Sequence, residues 1–309
     1  MLNSINFPNL GIELESVNQG ISFLGINISY YGILMALAIL VGMGVILLEA
    51  RYTGQHPEDY LDMAMITIPA AIIGARIYYV IFSWDIYKDS ILQVFAVWKG
   101  GLAMYGGLIA GFFVICIFAN TRSMWTPEVL DTVSLGLLAG QAIASWGSYF
   151  NRESFGEYTN ALFAMQLPID SVRIADVTDR MRNHLVELDG VRYIQVHPLF
   201  LYQFIWCLVL LILLIIYRYN KEFDGEIFCL YMAGYSAGRI WMEGLRTDAL
   251  TLPGLGWPVS RIVAIICLII SVAVIVYNRR MDGKGRMRRM RQKNTKLSMG
   301  NGGNMFHGM

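Results

Sequence analysis

The sequence predicts an all-α integral membrane protein with seven transmembrane helices and a small extracytoplasmic head. Three observations carry that reading. Several apolar runs approach twenty residues, the length a helix needs to cross the hydrocarbon core. Of 309 residues, 56% are hydrophobic and only 15% charged, a balance that belongs to a membrane chain. The formal net charge of +1 hides an asymmetry, because a basic run from Arg279 to Lys296 follows the last apolar stretch almost without acids. Long helical runs, in place of ten-residue alternation, exclude a barrel.

Residues 1–28 are mixed and end in a short apolar stretch, which suits an interfacial segment on the outer side. No basic region or small-residue cleavage site accompanies the first apolar run, so the start does not read as a removed signal peptide. The membrane domain follows over 29–278. Its first span, about 29–49, opens on Ser29-Tyr30-Tyr31-Gly32, and by themselves these tyrosines fit an interfacial belt. The second, 60–83, carries Arg76 beside Gly74 and Ala75. That arginine is read equally as a snorkelling structural group or as a functional one. The third, 101–119, opens with glycine pairs flanking Tyr105, after Lys99. They suit close approach of another helix or of a lipid headgroup. The fourth, 128–150, is diluted by Asp131, Gln141, Ser145 and Ser148.

A polar connection over 152–196 reads as the head, with mixed structure around Val191-Arg192-Tyr193-Ile194. Connections of that length are usually functional. The remaining spans are 198–217, 227–244 and 258–278. The tail, 279–309, is rich in Gly, Asn, Met and basic residues and reads as disordered. Its charge places it in the cytoplasm and, with seven spans, the N-terminus outside; Arg51, Arg122, Arg218 and Lys221 then fall on inner turns. Attraction to anionic lipid explains the tail better than nucleic acid does, since nothing folded accompanies it. The four cysteines fall inside spans without ligand spacing and the four histidines are scattered. No metal, cofactor or cysteine nucleophile is therefore expected.

Chemistry concentrates in 227–246. Tyr235, Arg239 and Glu243 step by four and Arg246 follows seven after Arg239, so all four share one helical stripe. A charge at membrane depth costs about 2.5–3.5 kcal/mol even on permissive insertion scales, so it persists only when buried, paired or used. A basic, hydroxyl-bearing stripe facing the bundle interior suits an anionic headgroup. A second polar cluster runs from Gly140 to Gly156, with amide, hydroxyl and carboxylate groups that need partners at that depth.

The strings GGLAMYGGLIAG, GQAIASWGSYFNRESFG, HPLFLYQ and GYSAGRIWMEGLRTDAL, in this order, resemble the bacterial prolipoprotein diacylglyceryl transferases; GARIYYV and SYYG add weaker support. The resemblance covers roughly 25–278. It implies an enzyme of the bacterial cytoplasmic membrane that moves the diacylglyceryl group of phosphatidylglycerol onto the lipobox cysteine of a prolipoprotein. A thioether forms and glycerol 1-phosphate is released. The nucleophile is the substrate's, in keeping with the lack of one here. The resemblance places Arg239 on the phosphate, Tyr235 beside the headgroup, Arg246 at the outer mouth, and Glu243 as the holder of an arginine. It adds Tyr31, Asn151, Glu153 and Gly156 to the site. Tyr105 stands where some members have a histidine proposed as general base; a phenol, ordinarily ionising near pH 10, is a poor base at neutral pH.

One departure stands out. Where the family pattern has arginine and asparagine, this chain has Ser145 and Ser148. Losing a charged phosphate contact costs some 2–5 kcal/mol unless another cation moves in; Arg76 and Arg152 are the candidates. Two further readings therefore accompany the transferase. One is a catalytically impaired paralogue that binds anionic lipid or lipoprotein without transfer. The other is a transporter of an anionic lipid or metabolite, which the lack of internal repeats weakens.

Overall fold

The computed structural model describes residues 4–23, 26–88, 91–96, 100–247 and 257–302. Its helices are α1 (Tyr30–Tyr52), α2 (Pro57–Phe82), α3 (Trp84–Tyr87), α4 (Met104–Thr121), α5 (Thr126–Asn151), α6 (Asp179–Arg182), α7 (Leu199–Tyr217), α8 (Glu226–Glu243) and α9 (Val259–Gly302). Each expected span thus has a helix within a few residues, and α9 continues past the expected boundary at 278. Six of these helices are long and apolar enough to cross a membrane. The exception among the seven expected spans is α8, whose 18 residues include Glu226, Arg239 and Glu243.

Local chemistry explains several boundaries. Pro57 starts α2, where its missing N–H costs nothing, and Glu58 and Asp59 sit in the first turn, at the positive end of the helix dipole. Gly225 precedes α8 with φ of 92°, a left-handed conformation that suits glycine.

The expectation of an all-α protein is corrected by seven strands among the described residues: β1 (Ile5–Phe7), β2 (Ile12–Leu14), β3 (Gly20–Phe23), β4 (Ile26–Ser29), β5 (Met165–Pro168), β6 (Val186–Leu188) and β7 (Val191–Val196). Five form an antiparallel sheet ordered β2-β1-β5-β7-β6, while β3 and β4 make a separate hairpin. The N-terminal segment is therefore part of the head's sheet, since Asn6 pairs with Gln166 across 160 residues of chain. Such pairing depends on partners remote in sequence, and short strands of this kind carry little periodic signal of their own.

The chain divides into two compact units, Met1–Ala38 with Leu138–Met309, and Ile39–Leu137. In the first, Ile5, Met165, Leu167, Ile194 and Val196 from the sheet share a core with Tyr149, Phe155 and Phe200. The end of α5 and the start of α7 are thereby packed against the head. At the other end of α8, the fully buried Glu226 accepts from Arg279 Nε at 2.8 Å and from Tyr217 Oη at 3.1 Å. This charge-assisted group ties α8 to α7 and α9.

In the second unit α2 packs on α4 through glycine. A Cβ on Gly74 would meet Gly106 O at 2.8 Å, and one on Gly107 would meet Ala71 O at 3.2 Å. The glycines around Tyr105 thus serve close helix approach, the packing alternative of the two readings. Lys99, and Asp248 to Leu250 of the last motif, lie outside the described residues.

Candidate functional site

The stripe on α8 is built as its spacing predicts. Glu243 is buried, with its side chain 2% exposed, and Arg239 Nη2 lies 3.0 Å from its Oε2 one turn back. Arg246 Nη1 lies 3.6 Å from the same oxygen. Neither contact is aligned as a hydrogen bond at Oε2; both are charge contacts. The second carboxylate oxygen accepts a hydrogen bond from the Ser260 hydroxyl, which anchors it to the first turn of α9. The two arginine side chains remain 18% and 20% exposed. One closed carboxylate thus holds two partly exposed guanidiniums side by side, an arrangement suited to oriented binding of an oxyanion. Tyr235 lies one turn before Arg239, and its ring stands 5.9 Å from that of Tyr231. Tyr231 Oη in turn accepts from Gln141 Nε2 at 3.0 Å, so α5 and α8 share a polar contact.

The segment after α5 reaches the same arginine. Gly156 forms an antiparallel bridge with Arg246. Gly156 N–H donates to His197 O at 3.0 Å, and Glu157 N–H to Leu245 O at 2.9 Å. A Cβ on Gly156 would come within 2.8 Å of His197 Cβ and 3.1 Å of Leu245 O. That crowding is why glycine stands there: its absent side chain lets the loop close on residues 245–246. Arg246 Nη2 also donates to Ser154 Oγ at 3.4 Å, a weak contact that places Ser154 in the cluster. Asn151 Nδ2 donates to Glu153 Oε1 at 3.2 Å. The backbone of this segment is strained, for Arg152 and Ser154 both take positive φ, 53° and 56°. Non-glycine residues in that region cost of order 1–3 kcal/mol each and gather where surrounding structure over-determines them.

Other expected site residues are placed differently. The Ser145 hydroxyl donates back to Ala142 O at 2.7 Å, a local bond within its own helix. Ser148 contributes its backbone carbonyl, which accepts from Glu153 N–H at 3.1 Å. Tyr31 lies on the first turn of α1 with its ring against Gly147, where a Cβ would stand 2.7 Å from Tyr31 Cδ2. Arg152 is buried and donates to Val17 O at 2.9 Å; burial lowers its pKa. Its guanidinium braces the N-terminal segment. In the second unit, Tyr105 is half-buried on the first turn of α4. Arg76 there is 5% exposed and donates to four backbone carbonyls: Gln93 at 2.6 Å, Val94 at 2.7 Å, Gly100 at 2.6 Å and Gly101 at 2.9 Å. It also lies over the Tyr87 ring at 5.1 Å.

His197 opens the HPLFLYQ string, and the resemblance assigns it no role in the site. Its backbone carbonyl holds Gly156, its N–H donates to Glu157 O at 3.1 Å, and its Nδ1 lies 3.2 Å from Tyr202 Oη. Burial lowers its pKa, and nearby Arg180 lowers it further against an opposing effect of Glu157. The signal available in sequence was the strand-breaking His-Pro step at the mouth of α7. Ser154 and Ser260 carried none, since a single serine near a loop is unremarkable.

The sequence matches the family model described as prolipoprotein diacylglyceryl transferase over residues 19–277. It is 36% identical over 256 residues to the phosphatidylglycerol–prolipoprotein diacylglyceryl transferase of Clostridioides difficile, covering 83% of this chain and 93% of that one. The proteins of the same name from Streptococcus suis and Listeria welshimeri are 37% and 33% identical, each across 82% of this chain and 90% and 87% of their own. With six apolar helices, a small antiparallel sheet and an arginine pair held on one buried carboxylate, this multi-pass membrane protein belongs to the prolipoprotein diacylglyceryl transferase family.

Proposed function

We propose that the chain transfers the diacylglyceryl group of phosphatidylglycerol to the lipobox cysteine thiol of prolipoproteins. The substrate sulfur attacks the glyceryl methylene that bears the phosphate ester. A carbon–sulfur bond forms, the carbon–oxygen bond breaks, its electron pair stays on the phosphate oxygen, and the thiol proton leaves to a base. The headgroup passes from a diester with one negative charge to a monoester with two. Catalysis consists mainly of positioning the ester and of donors waiting where that charge grows.

The observation that carries this reading is the buried Glu243 between Arg239 and Arg246. In it Arg239 grips the phosphate, Arg246 holds the outer side against Ser154 and Gly156, and Glu243 orients both. Tyr235 and Tyr31 order the headgroup region. Asn151, Glu153 and Gly156 shape the loop that closes over it. In this reading α8 is the seventh span, its charges turned from lipid, with the N-terminus and head outside and the basic tail in the cytoplasm. Phosphatidylglycerol enters from the bilayer and the lipobox peptide from the outer side.

Purified protein incubated with phosphatidylglycerol and a lipobox peptide should give the peptide a diacylglyceryl mass gain that Arg239→Ala abolishes. No gain from a preparation that still binds phosphatidylglycerol supports the second reading, a paralogue that keeps the lipid and has lost the transfer. Ser145 favours that alternative, since its hydroxyl is spent on Ala142 and offers no cation.

A further inference from the structure

Arg261 belongs to none of the motifs and to no role assigned so far, yet it lies beside the arginine cluster. It follows Ser260, whose hydroxyl donates to Glu243, in the first turn of α9. A Cβ built on Gly244, the residue after Glu243, would lie 3.7 Å from Arg261 Nη1. The guanidinium stacks over the Trp257 ring, 5.6 Å from its centroid. Its Nε is shielded from solvent and has no hydrogen-bond acceptor among the described residues. A cation at the start of a helix also opposes the helix dipole. Two features of this group, its shielded unsatisfied donor and its place at a helix N-terminus, cost free energy unless an anion is present.

We propose that Arg261 is a further phosphate-contacting residue of this site and takes up the second negative charge that develops on the leaving glycerol phosphate. The inference rests on the transferase reading and deepens it. A phosphodiester carries one negative charge and the released monoester two. When the carbon–oxygen bond breaks and its electron pair passes to the phosphate oxygen, the Arg261 guanidinium meets the charge just formed. An interaction that strengthens only as charge develops raises kcat rather than ground-state binding. It also supplies from α9 the cation that α5 lacks at Ser145.

The test separates this residue from the reading on which it rests. Binding of glycerol 1-phosphate, a monoester, and of glycerophosphoglycerol, a diester, is measured by calorimetry on detergent-solubilised protein. The unmodified protein should prefer the monoester about tenfold, and Arg261→Gln should reduce that preference to near one. Arg261→Lys, which keeps the charge, should retain part of it, and the thermal midpoint of each variant reports folding independently. A preference unchanged in Arg261→Gln, or absent from the unmodified protein, overturns the proposal whether or not transfer occurs. In the peptide assay, Arg261→Gln should lower kcat about 10- to 100-fold with little change in KM for phosphatidylglycerol. Transfer within twofold of unmodified would also overturn it. Absence of any mass gain from the unmodified protein counts instead against the transferase reading.

Discussion

Two arginines, one in each compact unit, show how differently the same side chain is used. Arg76 gives four hydrogen bonds to the carbonyls of residues 93, 94, 100 and 101. Its donors are consumed by backbone carbonyl oxygens, the partners that such groups need away from water. Arg239 faces one carboxylate through a charge contact that is not aligned as a hydrogen bond, and its remaining donors point to no described acceptor. The lesson is that a buried cation in an apolar helix is not by itself a ligand site. What its N–H groups touch decides between a brace and a binding group.

That contrast breaks most easily by exchanging the outcomes. Arg239→Ala should lower diacylglyceryl transfer by about 10²–10³-fold, read by peptide mass, while the protein still purifies folded. Arg76→Met should act in reverse, removing the donors of four hydrogen bonds to backbone carbonyls at roughly 3–4 kcal/mol in total. Its thermal midpoint in detergent should fall sharply, with phosphatidylglycerol affinity of the surviving folded fraction unchanged. A stable Arg76→Met protein that has lost the lipid would erase the distinction drawn here.

Gly156→Val sharpens the comparison from the side of Arg246. Its side chain would overlap His197 Cβ and Leu245 O, an overpacking cost of about 1–3 kcal/mol. Transfer should fall more than thermal stability does, because the displaced backbone carries Arg246; Gly156→Ala should fall between the two. Equal activity in Gly156→Val would mean that the loop closure is not needed.

His197 tests the head with pH. Burial lowers its pKa below the ordinary 6.5, so below that value the unfolded chain binds a proton that the native state resists. Stability should therefore rise with pH from the depressed native value up to about 6.5 and be level above it, with a slope of at most about 1.4 kcal/mol per unit. His197→Gln should remove that slope in thermal unfolding scans taken between pH 5 and 7.5. Persistence of the slope would assign it to other groups of the head. Ser145→Arg with Ser148→Asn is expected to change transfer least, by a few fold upward, if Arg261 already serves the phosphate. A rise of a hundredfold would mean that the site lacks a cation that α9 does not replace.

Much of this was legible before any coordinates. Apolar runs of about twenty residues located the long helices to within a few positions, except the end of α9, which runs on to Gly302, because helix length in a bilayer follows from 1.5 Å per residue and a fixed hydrocarbon thickness. The stripe of Tyr235, Arg239, Glu243 and Arg246 followed from the 3.6-residue period alone. Other features were hidden for a definite reason. The pairing of Asn6 with Gln166 and the closure of Gly156 on Arg246 join residues 160 and 90 positions apart, and nothing local records such partners. Ser260 and Arg261 had no motif to mark them, and Arg76 had two open readings.

By itself, then, the sequence determined that this is a membrane chain, where its helices run, and which side chains line one face of α8, since local composition and helical period dictate all three. Tertiary structure alone decided that the N-terminal segment completes the head's sheet, that Arg76 braces carbonyls, that Ser145 turns back on its own helix, and that Glu243 holds two arginines with Ser260 beneath it. Each of those outcomes depends on which distant donor reaches which acceptor, and that is settled by packing, not by periodicity.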